Sequence, residues 1–304
     1  MINRLVRGVG KHGFLGSTRL AMRLMSNKTA SMREIILVKK AAKHGAKGFV
    51  VKEILGSPMV LNLNDVGISR ELLVKGIHEK ESTIQIQKEL KPGMTIVEVG
   101  ANIGYYSIIE AKVIGKSGKI YAFEPSSENI QLLQANVSLN SIAGITTIIP
   151  KAVGAVSGNQ KFYVMSKRNM SSFYHRKEDD IIRIVDTVDV PTVTLDEYFF
   201  GGKGFDYLRM DVEGYETEII KGMRKLLSSG LGPQGMFIEV HSQLLNEAGG
   251  SCREFVQELS KYGYGISIAR YRGKSDVVTN SVEELLNHKL CEVGYWEVFF
   301  CKRC

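Results

Sequence analysis

The chain has 304 residues, of which 40 are Lys or Arg and 32 are Asp or Glu, so its formal net charge is +8. Hydrophobic residues make up 44% of the chain, which is enough for a folded core and excludes an intrinsically disordered protein. No apolar run approaches the roughly 20 residues that cross a bilayer, so we expect a protein that is soluble or peripheral to a membrane.

The positive charge is concentrated in residues 1–47, which contain 11 Lys or Arg residues and a single acid. The remaining residues are nearly neutral, with 29 bases and 31 acids. We interpret residues 1–47 as a basic N-terminal arm outside the main domain. Leu20 and Leu24 are interleaved with Arg19 and Arg23, a pattern that favours either an amphipathic helix on an anionic membrane or a solvated basic helix packed on the domain. The partner of this arm is left open.

Residues 48–93 are predicted to form an extension that precedes the core of the fold. Phe49–Ile54 and Pro58–Leu63 flank a Gly-Ser turn, which indicates a β-hairpin. A helix that ends near Leu90 follows, and a Lys-Pro-Gly sequence separates it from the core. We expect this extension to cap the acceptor side of the site.

From residue 94 to residue 304, short apolar runs alternate with amphipathic stretches. This alternation predicts an α/β domain with a doubly wound, mostly parallel sheet that is covered by helices on both faces. The predicted strands are Thr95–Gly100, Lys119–Phe123, Ile145–Pro150, Tyr207–Met210, Met236–Val240, Tyr264–Ala269 and Trp296–Phe300, and the predicted helices are Ile108–Val113, Glu128–Leu139, Tyr215–Leu227 and Cys252–Lys261.

The segment 158–194 interrupts this alternation because it is long, polar and charged. Segments of this length in compact domains are commonly functional. We predict that it contains a second hairpin or a lid, and that it shapes the acceptor pocket together with residues 49–90.

The four cysteines all lie near the C-terminus of the chain. Cys301 and Cys304 have the spacing of a metal or redox pair, but a zinc site would need two more ligands. Cys291 offers one ligand at most, and Cys252 falls in a predicted helix. We interpret the cysteines as reduced thiols of a cytoplasmic protein and leave the role of the C-terminal pair open.

The turn after the first core strand has the sequence EVGANIG, in which Gly100 and Gly104 let the backbone bend sharply. Asn102 occupies the second glycine position of the dinucleotide pattern G-x-G-x-x-G, which disfavours NAD because that glycine admits the pyrophosphate. Glu124 ends the second strand, 20 residues after Gly104, where an acid can accept ribose hydroxyls. Glu98 is placed to pair with an ammonium group. A ribose, an amino group and no pyrophosphate together indicate S-adenosylmethionine.

With these motifs the chain resembles the FkbM-type methyltransferases over residues 60–300. The resemblance implies a Rossmann-like class I methyltransferase fold, with a seven-stranded sheet whose last strand is antiparallel, and O-methylation as the usual activity. It also implies that Gly100, Asn102, Gly104 and Glu124 contact the methyl donor, with Ala152 near the adenine. The matching segments are Gly67–Leu72, Val97–Ser107, Ala122–Leu133, Lys151–Gly154, Met210–Glu216 and Phe237–His241.

The candidate catalytic residues lie at the ends of the fourth and fifth core strands. Asp211 ends one strand, and Glu239 and His241 share a face of the next, so the three should meet at the ligand-binding edge of the sheet. We predict Asp211 or His241 as the base that takes a proton from the acceptor hydroxyl, with Glu239 beside them. The same set could hold Mg²⁺, but we predict no metal. Alternatively, Asp211 and Glu213 only cap the following helix.

The sequence therefore predicts an S-adenosylmethionine-dependent O-methyltransferase that acts on a small-molecule or glycan hydroxyl. One alternative is a nucleic-acid methyltransferase that uses the basic arm. Met210–Gly214 stands where amine-methylating enzymes of this fold usually carry an Asn/Asp-Pro-Pro-aromatic element, and the main domain is nearly neutral, so no nucleic acid is expected. Another alternative is a non-catalytic protein that binds the donor and docks on a membrane or a partner through the arm.

Overall fold

The computed structural model describes residues 48–165, 171–174, 183–202, 204–272 and 278–302. The arm predicted for residues 1–47 lies outside the described residues, as do Cys304 and parts of the segment 158–194. Cys252 and Cys291 are buried free thiols, and Cys301 is exposed.

The described elements begin with the extension and continue with alternating strands and helices. In chain order they are β1 (Phe49–Ile54), β2 (Ser57–Asn62), α1 (Ile68–Lys75), α2 (Lys80–Glu89), β3 (Thr95–Val99), α3 (Tyr105–Ile114), β4 (Lys119–Phe123), α4 (Ser127–Leu139), β5 (Thr146–Ile149), β6 (Ala152–Val153), β7 (Gly158–Met165), β8 (Ile184–Val193), α5 (Leu195–Phe199), β9 (Tyr207–Met210), α6 (Glu216–Lys221), α7 (Arg224–Ser228), β10 (Gly235–Val240), α8 (Ser242–Glu247), α9 (Cys252–Lys261), β11 (Tyr264–Tyr271), β12 (Val278–Thr279), α10 (Val282–Asn287) and β13 (Trp296–Lys302). Among the described residues, none of these helices combines the length and the apolar character that a membrane crossing requires.

Eight of the described strands form the central sheet, in the order β12–β11–β13–β10–β9–β3–β4–β5. The strands from β10 to β5 run parallel, whereas β13 is antiparallel to both β10 and β11. This confirms the predicted mostly parallel sheet with an antiparallel last strand. The prediction of seven strands was wrong by one, because β12 has two residues, too few to show a hydrophobic period.

Apolar side chains cover both faces of the central sheet. On β3, Val97 and Val99 enter one core and Ile96 enters the other, as the alternation of side chains along a strand requires. Helices α1 to α4 pack on the core of Ile96, and helices α5 to α10 pack on the opposite core. With both faces covered, the carboxyl-end edge of the sheet is left for a ligand site.

The predicted second hairpin is present as β7 and β8, which pair antiparallel. Together with β6 they form a separate three-stranded sheet. The short segment 171–174 lies against the hairpin, where Ser172 exchanges backbone hydrogen bonds with Tyr163. The Ser172 hydroxyl donates to the backbone oxygen of Glu213 at 3.1 Å, so the segment 171–174 is tied to the loop that follows β9.

The single helix predicted over Tyr215–Leu227 is wrong, because the structure has two short helices there, α6 and α7. They are separated at Gly222, where a Cβ would lie 2.0 Å from the Gly154 carbonyl oxygen. The side chain of Asp196 accepts hydrogen bonds from the backbone of Lys225 and Leu226 and caps the second helix. A cap that comes from a distant part of the chain leaves no local signal in the sequence.

The extension contains the predicted hairpin and, as α2, the helix predicted to end near Leu90, and it has a further helix, α1, between them. The buried side chain of Asn136 on α4 accepts a hydrogen bond from the backbone of Val60 at 2.6 Å, which fixes the hairpin to the domain. Between the two helices, His78 lies 2.6 Å from Glu71 and 2.9 Å from Glu79. Burial alone would lower the pKa of His78, but the charges of these carboxylates raise it to about 10.

We expect His78→Gln to lower the free energy of unfolding by about 3 kcal/mol near pH 6, because it leaves two carboxylates without their cation. In the unfolded chain the pKa of histidine is about 6.5, so this stabilisation is complete below that pH and is lost as the pH rises towards the folded-state pKa of about 10. Urea unfolding of the natural chain and of His78→Gln at pH 6 and pH 10 measures this loss of stability. If the variant lost the same unfolding free energy at both pH values, His78 would not be a charged partner of Glu71 and Glu79.

Candidate active site

The turn after β3 is fitted between the ends of the two neighbouring strands. The backbone N–H of Gly100 donates to the Phe123 oxygen on β4, and the N–H of Asp211 donates to the Val99 oxygen. Gly100 has φ +83°, and a Cβ there would lie 2.2 Å from the Asp211 carbonyl oxygen, so no side chain fits. Asn102 also has a positive φ, 51°, which asparagine tolerates better than most residues.

Glu124 closes the turn from the end of β4 and is 4% exposed. Its carboxylate accepts hydrogen bonds from the backbone N–H of Asn102 at 2.8 Å and of Ser126 at 2.9 Å, and from the side-chain amide of Asn129 at 3.2 Å. Burial raises the pKa of Glu124, against the effect of these donors. Since a carboxylate has about four acceptor positions, at least one is left for a ligand hydroxyl.

One cleft joins this turn to the end of β9. Phe162, Phe173 and Tyr215 form its apolar side, and the rings of Phe173 and Tyr215 are 4.5 Å apart. Its polar lining residues are Asn102, Glu124, Ser126, Asn129, Lys151, Ser171, Asp211 and Glu213.

The three predicted catalytic residues do lie together beyond the end of the sheet. One donor atom from each of Asp211, Glu239 and His241 falls within 4.8 Å of the others. Asp211 lines the cleft, and its Oδ1 is buried and accepts no hydrogen bond from the part of the chain that the structure describes. Glu239 is 5% exposed, and burial raises its pKa well above the usual range. We call Asp211, Glu239 and His241 the triad.

His241 is held between carboxylates on both sides of its ring. Its Nδ1 lies 2.8 Å from Glu216, and its Nε2 lies 3.5 Å from Glu213 and 4.0 Å from Glu239. Burial alone would lower the pKa of His241, but these carboxylates raise it well above its usual value. The carboxylates on both sides of the ring thus favour its protonated form. A protonated ring cannot accept a proton, which favours Asp211 over His241 as the base.

A buried arginine that the sequence analysis did not single out connects the turn to Asp211. Arg209 on β9 is 3% exposed and donates to the Gly100 oxygen at 3.2 Å and to Asp211 Oδ2 at 3.4 Å. Its guanidinium lies 4.1 Å from the ring centre of Tyr106 and 3.7 Å from Glu98. A basic residue inside the otherwise apolar strand β9 is the signal that could have found it.

The structure places Glu98 beneath the turn, and the cleft lining does not include it. It has no exposed surface, and it accepts a hydrogen bond from the Ser107 hydroxyl. Burial raises its pKa to about 7, against the opposing effect of Arg209. Glu98 is thus placed to act through Arg209.

Ala152 and Gly104 were also predicted to contact the methyl donor, and the structure places one in the cleft and the other in the core. Ala152 lines the cleft. Gly104 is the N-cap of α3, where a Cβ would lie 2.6 Å from Leu133, so it serves the packing of that helix and is absent from the lining.

A partly exposed arginine connects the triad to the extension. Arg272 lies 2.7 Å from Glu79, 3.2 Å from Glu297 and 3.5 Å from Glu239. Three carboxylates from three separate elements therefore share one guanidinium, a convergence that no local sequence pattern predicts.

A doubly wound sheet with a glycine turn after its first core strand and an acid after its second defines a nucleotide-type ligand site. The chain belongs to the FkbM methyltransferase domain family, whose model matches residues 98–266. The match contains the turn, Glu124, Asp211 and the rest of the triad, and it confirms the resemblance found in the sequence.

Similarity to individual proteins is weaker than this family match. The chain is 30% identical to a protein-L-isoaspartate O-methyltransferase from Methanococcoides burtonii over 60 residues, which are 20% of this chain and 30% of that protein. The match therefore spans less than a third of that relative's length. A structure of a putative rRNA methylase from Clostridium thermocellum is similar with 12% identity and a TM-score of 0.44, over 74% of this chain and 95% of that one. The structure of an S-adenosylmethionine-dependent O-methyltransferase from Thermotoga maritima is similar with 16% identity and a TM-score of 0.40. The similarity covers 75% of this chain and 67% of that one.

The family uses S-adenosylmethionine as its methyl donor, and the residues at the turn fit this compound. Glu124 has an acceptor position left for a ribose hydroxyl and faces the same cleft as the small side chain of Ala152. The absence of a second glycine at Asn102 agrees with a ligand that has no pyrophosphate. A second ribose hydroxyl would take the position of the Asn129 amide, the longest of the three hydrogen bonds to Glu124.

Proposed function

We propose that the protein is an S-adenosylmethionine-dependent O-methyltransferase whose acceptor is a hydroxyl of a sugar, a glycan intermediate or a similar secondary metabolite. The observation that carries this proposal is that one cleft is lined both by a carboxylate suited to a ribose, Glu124, and by Asp211, one of whose oxygens has no hydrogen-bond partner among the described residues. A donor held at Glu124 would extend along the cleft towards Asp211.

The chemistry that remains for the protein is alignment of the acceptor and removal of its proton. S-adenosylmethionine, when bound, supplies an activated methyl group and its own leaving group. Asp211 would accept the hydroxyl proton as the new oxygen–carbon bond forms, while the electron pair of the broken carbon–sulfur bond stays on sulfur. The proton then leaves from Asp211 to water. Arg209 would act as a positioning residue, since it contacts both Asp211 and the turn.

The charge at the acceptor end of the cleft supports a neutral hydroxyl acceptor. Asp211 and Glu213 line this end, and Glu239 lies behind them. Carboxylates in this position would repel the phosphates of a nucleic acid. The sequence Met210–Gly214 also lacks the Asn/Asp-Pro-Pro-aromatic element that is usual in amine-methylating enzymes of this fold.

Transfer from a donor with a labelled methyl group tests this proposal. The full chain would be incubated with labelled S-adenosylmethionine and with the small-molecule, glycan, protein and RNA fractions of a cell extract. We expect label in the small-molecule or glycan fraction, in a product that resists mild alkali, because a methyl ether is stable where a carboxyl methyl ester is hydrolysed.

The control for this assay is Asp196→Asn, which changes a carboxylate that caps a helix outside the cleft. It should label the same product as the natural chain. Label in the RNA fraction, or release of labelled methanol by alkali, would contradict the proposal. Donor binding without transfer to any fraction would favour the non-catalytic alternative.

A further inference from the structure

The triad has the composition and spacing of a site for a divalent cation. It supplies two carboxylates and one imidazole from the ends of the adjacent parallel strands β9 and β10, with donor atoms within 4.8 Å of each other. Ligands of a small divalent cation lie about 2.0–2.2 Å from it, so pairs of ligands are separated by about 3–4 Å. Small side-chain movements would bring the triad to this spacing.

Glu216 holds the His241 ring in the orientation that a metal ligand needs. It has no exposed surface, and its Oε1 lies 2.8 Å from His241 Nδ1 and accepts the backbone N–H of Gly214 at 3.0 Å. The opposite nitrogen, Nε2, lies 3.5 Å from Glu213 and 4.0 Å from Glu239. Metal-binding histidines commonly have a carboxylate on their other ring nitrogen, which fixes the tautomer and orients the ring.

One buried oxygen of the triad, Asp211 Oδ1, has no hydrogen-bond partner among the described residues, although buried polar groups normally have one. Glu239, which is 95% buried, accepts no hydrogen bond from any described residue and has only the longer ion-pair distances of 3.5 Å to Arg272 and 4.0 Å to His241. One carboxylate oxygen from each of these two residues lies within 4.8 Å of the other and of a ring nitrogen of His241.

The positive charges near the triad are shared with other carboxylates. Arg209 also pairs with Glu98, at 3.7 Å. Arg272 lies closer to Glu79 and to Glu297 than to Glu239, and the His241 ring lies closer to Glu216 and to Glu213 than to Glu239. Negative charge at Asp211 and Glu239 is therefore only partly compensated by the described side chains, and buried charges that lack compensation are strongly unfavourable.

We propose that Asp211, Glu239 and His241 bind one divalent cation of the Mn²⁺ or Mg²⁺ class at the acceptor end of the cleft. Carboxylates favour these cations, and one imidazole shifts the preference towards Mn²⁺. Three protein ligands leave coordination positions for water or for an acceptor hydroxyl. The role in catalysis rests on the proposed function: with the cation bound, Asp211 would act as a ligand in place of its role as proton acceptor, the cation would lower the pKa of the hydroxyl, and the released proton would go to water. Cation binding itself does not depend on that role.

The test is titration of the full chain, freed of metal with a chelator, with Mn²⁺ alone, followed by electron paramagnetic resonance of the free ion. We expect one Mn²⁺ per chain and competition by Mg²⁺. Glu239→Gln should weaken the affinity at least tenfold, since even loss of an outer-shell partner costs about 10–100-fold. The control is Asp196→Asn, which changes a carboxylate that caps α7 away from the triad and should bind Mn²⁺ within about threefold of the natural chain.

Equal Mn²⁺ affinity in the natural chain and in Glu239→Gln, or no stoichiometric binding in the natural chain, would overturn the proposal. Thermal unfolding of the variants verifies that they are folded, and Asp211→Asn gives a second variant of the triad with the same expected loss. Because the titration contains no methyl donor, its failure is separate from failure of the methyltransferase proposal, which is measured by methyl transfer.

Discussion

Asp211→Asn is expected to reduce the rate of methyl transfer by about 10²–10⁴-fold, the contribution usual for a positioned proton acceptor. The affinity for S-adenosylmethionine should remain within about threefold, because Glu124 and the turn hold the donor from the other end of the cleft. Asparagine keeps the volume of the side chain and can still accept the hydrogen bond from Arg209. It cannot take up a proton from the hydroxyl. The same loss is expected if Asp211 acts as a cation ligand.

Single-turnover transfer of labelled methyl, together with calorimetric donor affinity, separates these two effects. Asp196→Asn is the control, since it should leave both the transfer rate and the affinity unchanged. An unchanged transfer rate in Asp211→Asn would remove this residue from the mechanism. It would leave Asp211 as part of the loop that precedes α6.

Arg209→Met is expected to lower the free energy of unfolding by about 3–5 kcal/mol, because removal of one partner leaves buried carboxylates without their counter-charge. Glu98 has no exposed surface, and Arg209 is the cation that the structure places against it. The double variant Arg209→Met with Glu98→Gln should recover part of the loss, since the unpaired charge is then absent.

Urea unfolding of the single and double variants measures this coupling. Arg224→Met is the matched control: Arg224 pairs with Glu258 on the surface, where its side chain is 52% exposed, and the expected change is below about 1 kcal/mol. An effect of Arg209→Met as small as that of Arg224→Met would show that the buried guanidinium is not needed for stability.

The framework of the sheet and the donor turn were predictable because their signals are local. The strand Lys119–Phe123 was predicted with its observed bounds, since a short apolar run between turns is sufficient evidence. The functional reading of Gly100 and Glu124 followed from their spacing, and the structure places both in one cleft.

The parts that could not be predicted depend on contacts between distant segments. Arg272 gains its role from Glu79 and Glu297, which lie in other elements, and the cap that divides α6 from α7 comes from Asp196. Arg209 was overlooked because β9 was read as an apolar strand. Its contacts with Gly100 and Glu98 come from another part of the chain and cannot be inferred from β9 alone.

Calorimetric titration of S-adenosylmethionine into the natural chain and into Glu124→Ala tests the central claim most directly. The claim is that the turn of Gly100–Asn102 and the carboxylate of Glu124 hold the adenosyl part of the donor. We predict saturable binding by the natural chain and an affinity at least about tenfold lower for the variant, since loss of hydrogen bonds to a charged group costs about 1.5–3 kcal/mol. Absence of binding heat at several temperatures, or equal affinity in the two proteins, would contradict the account.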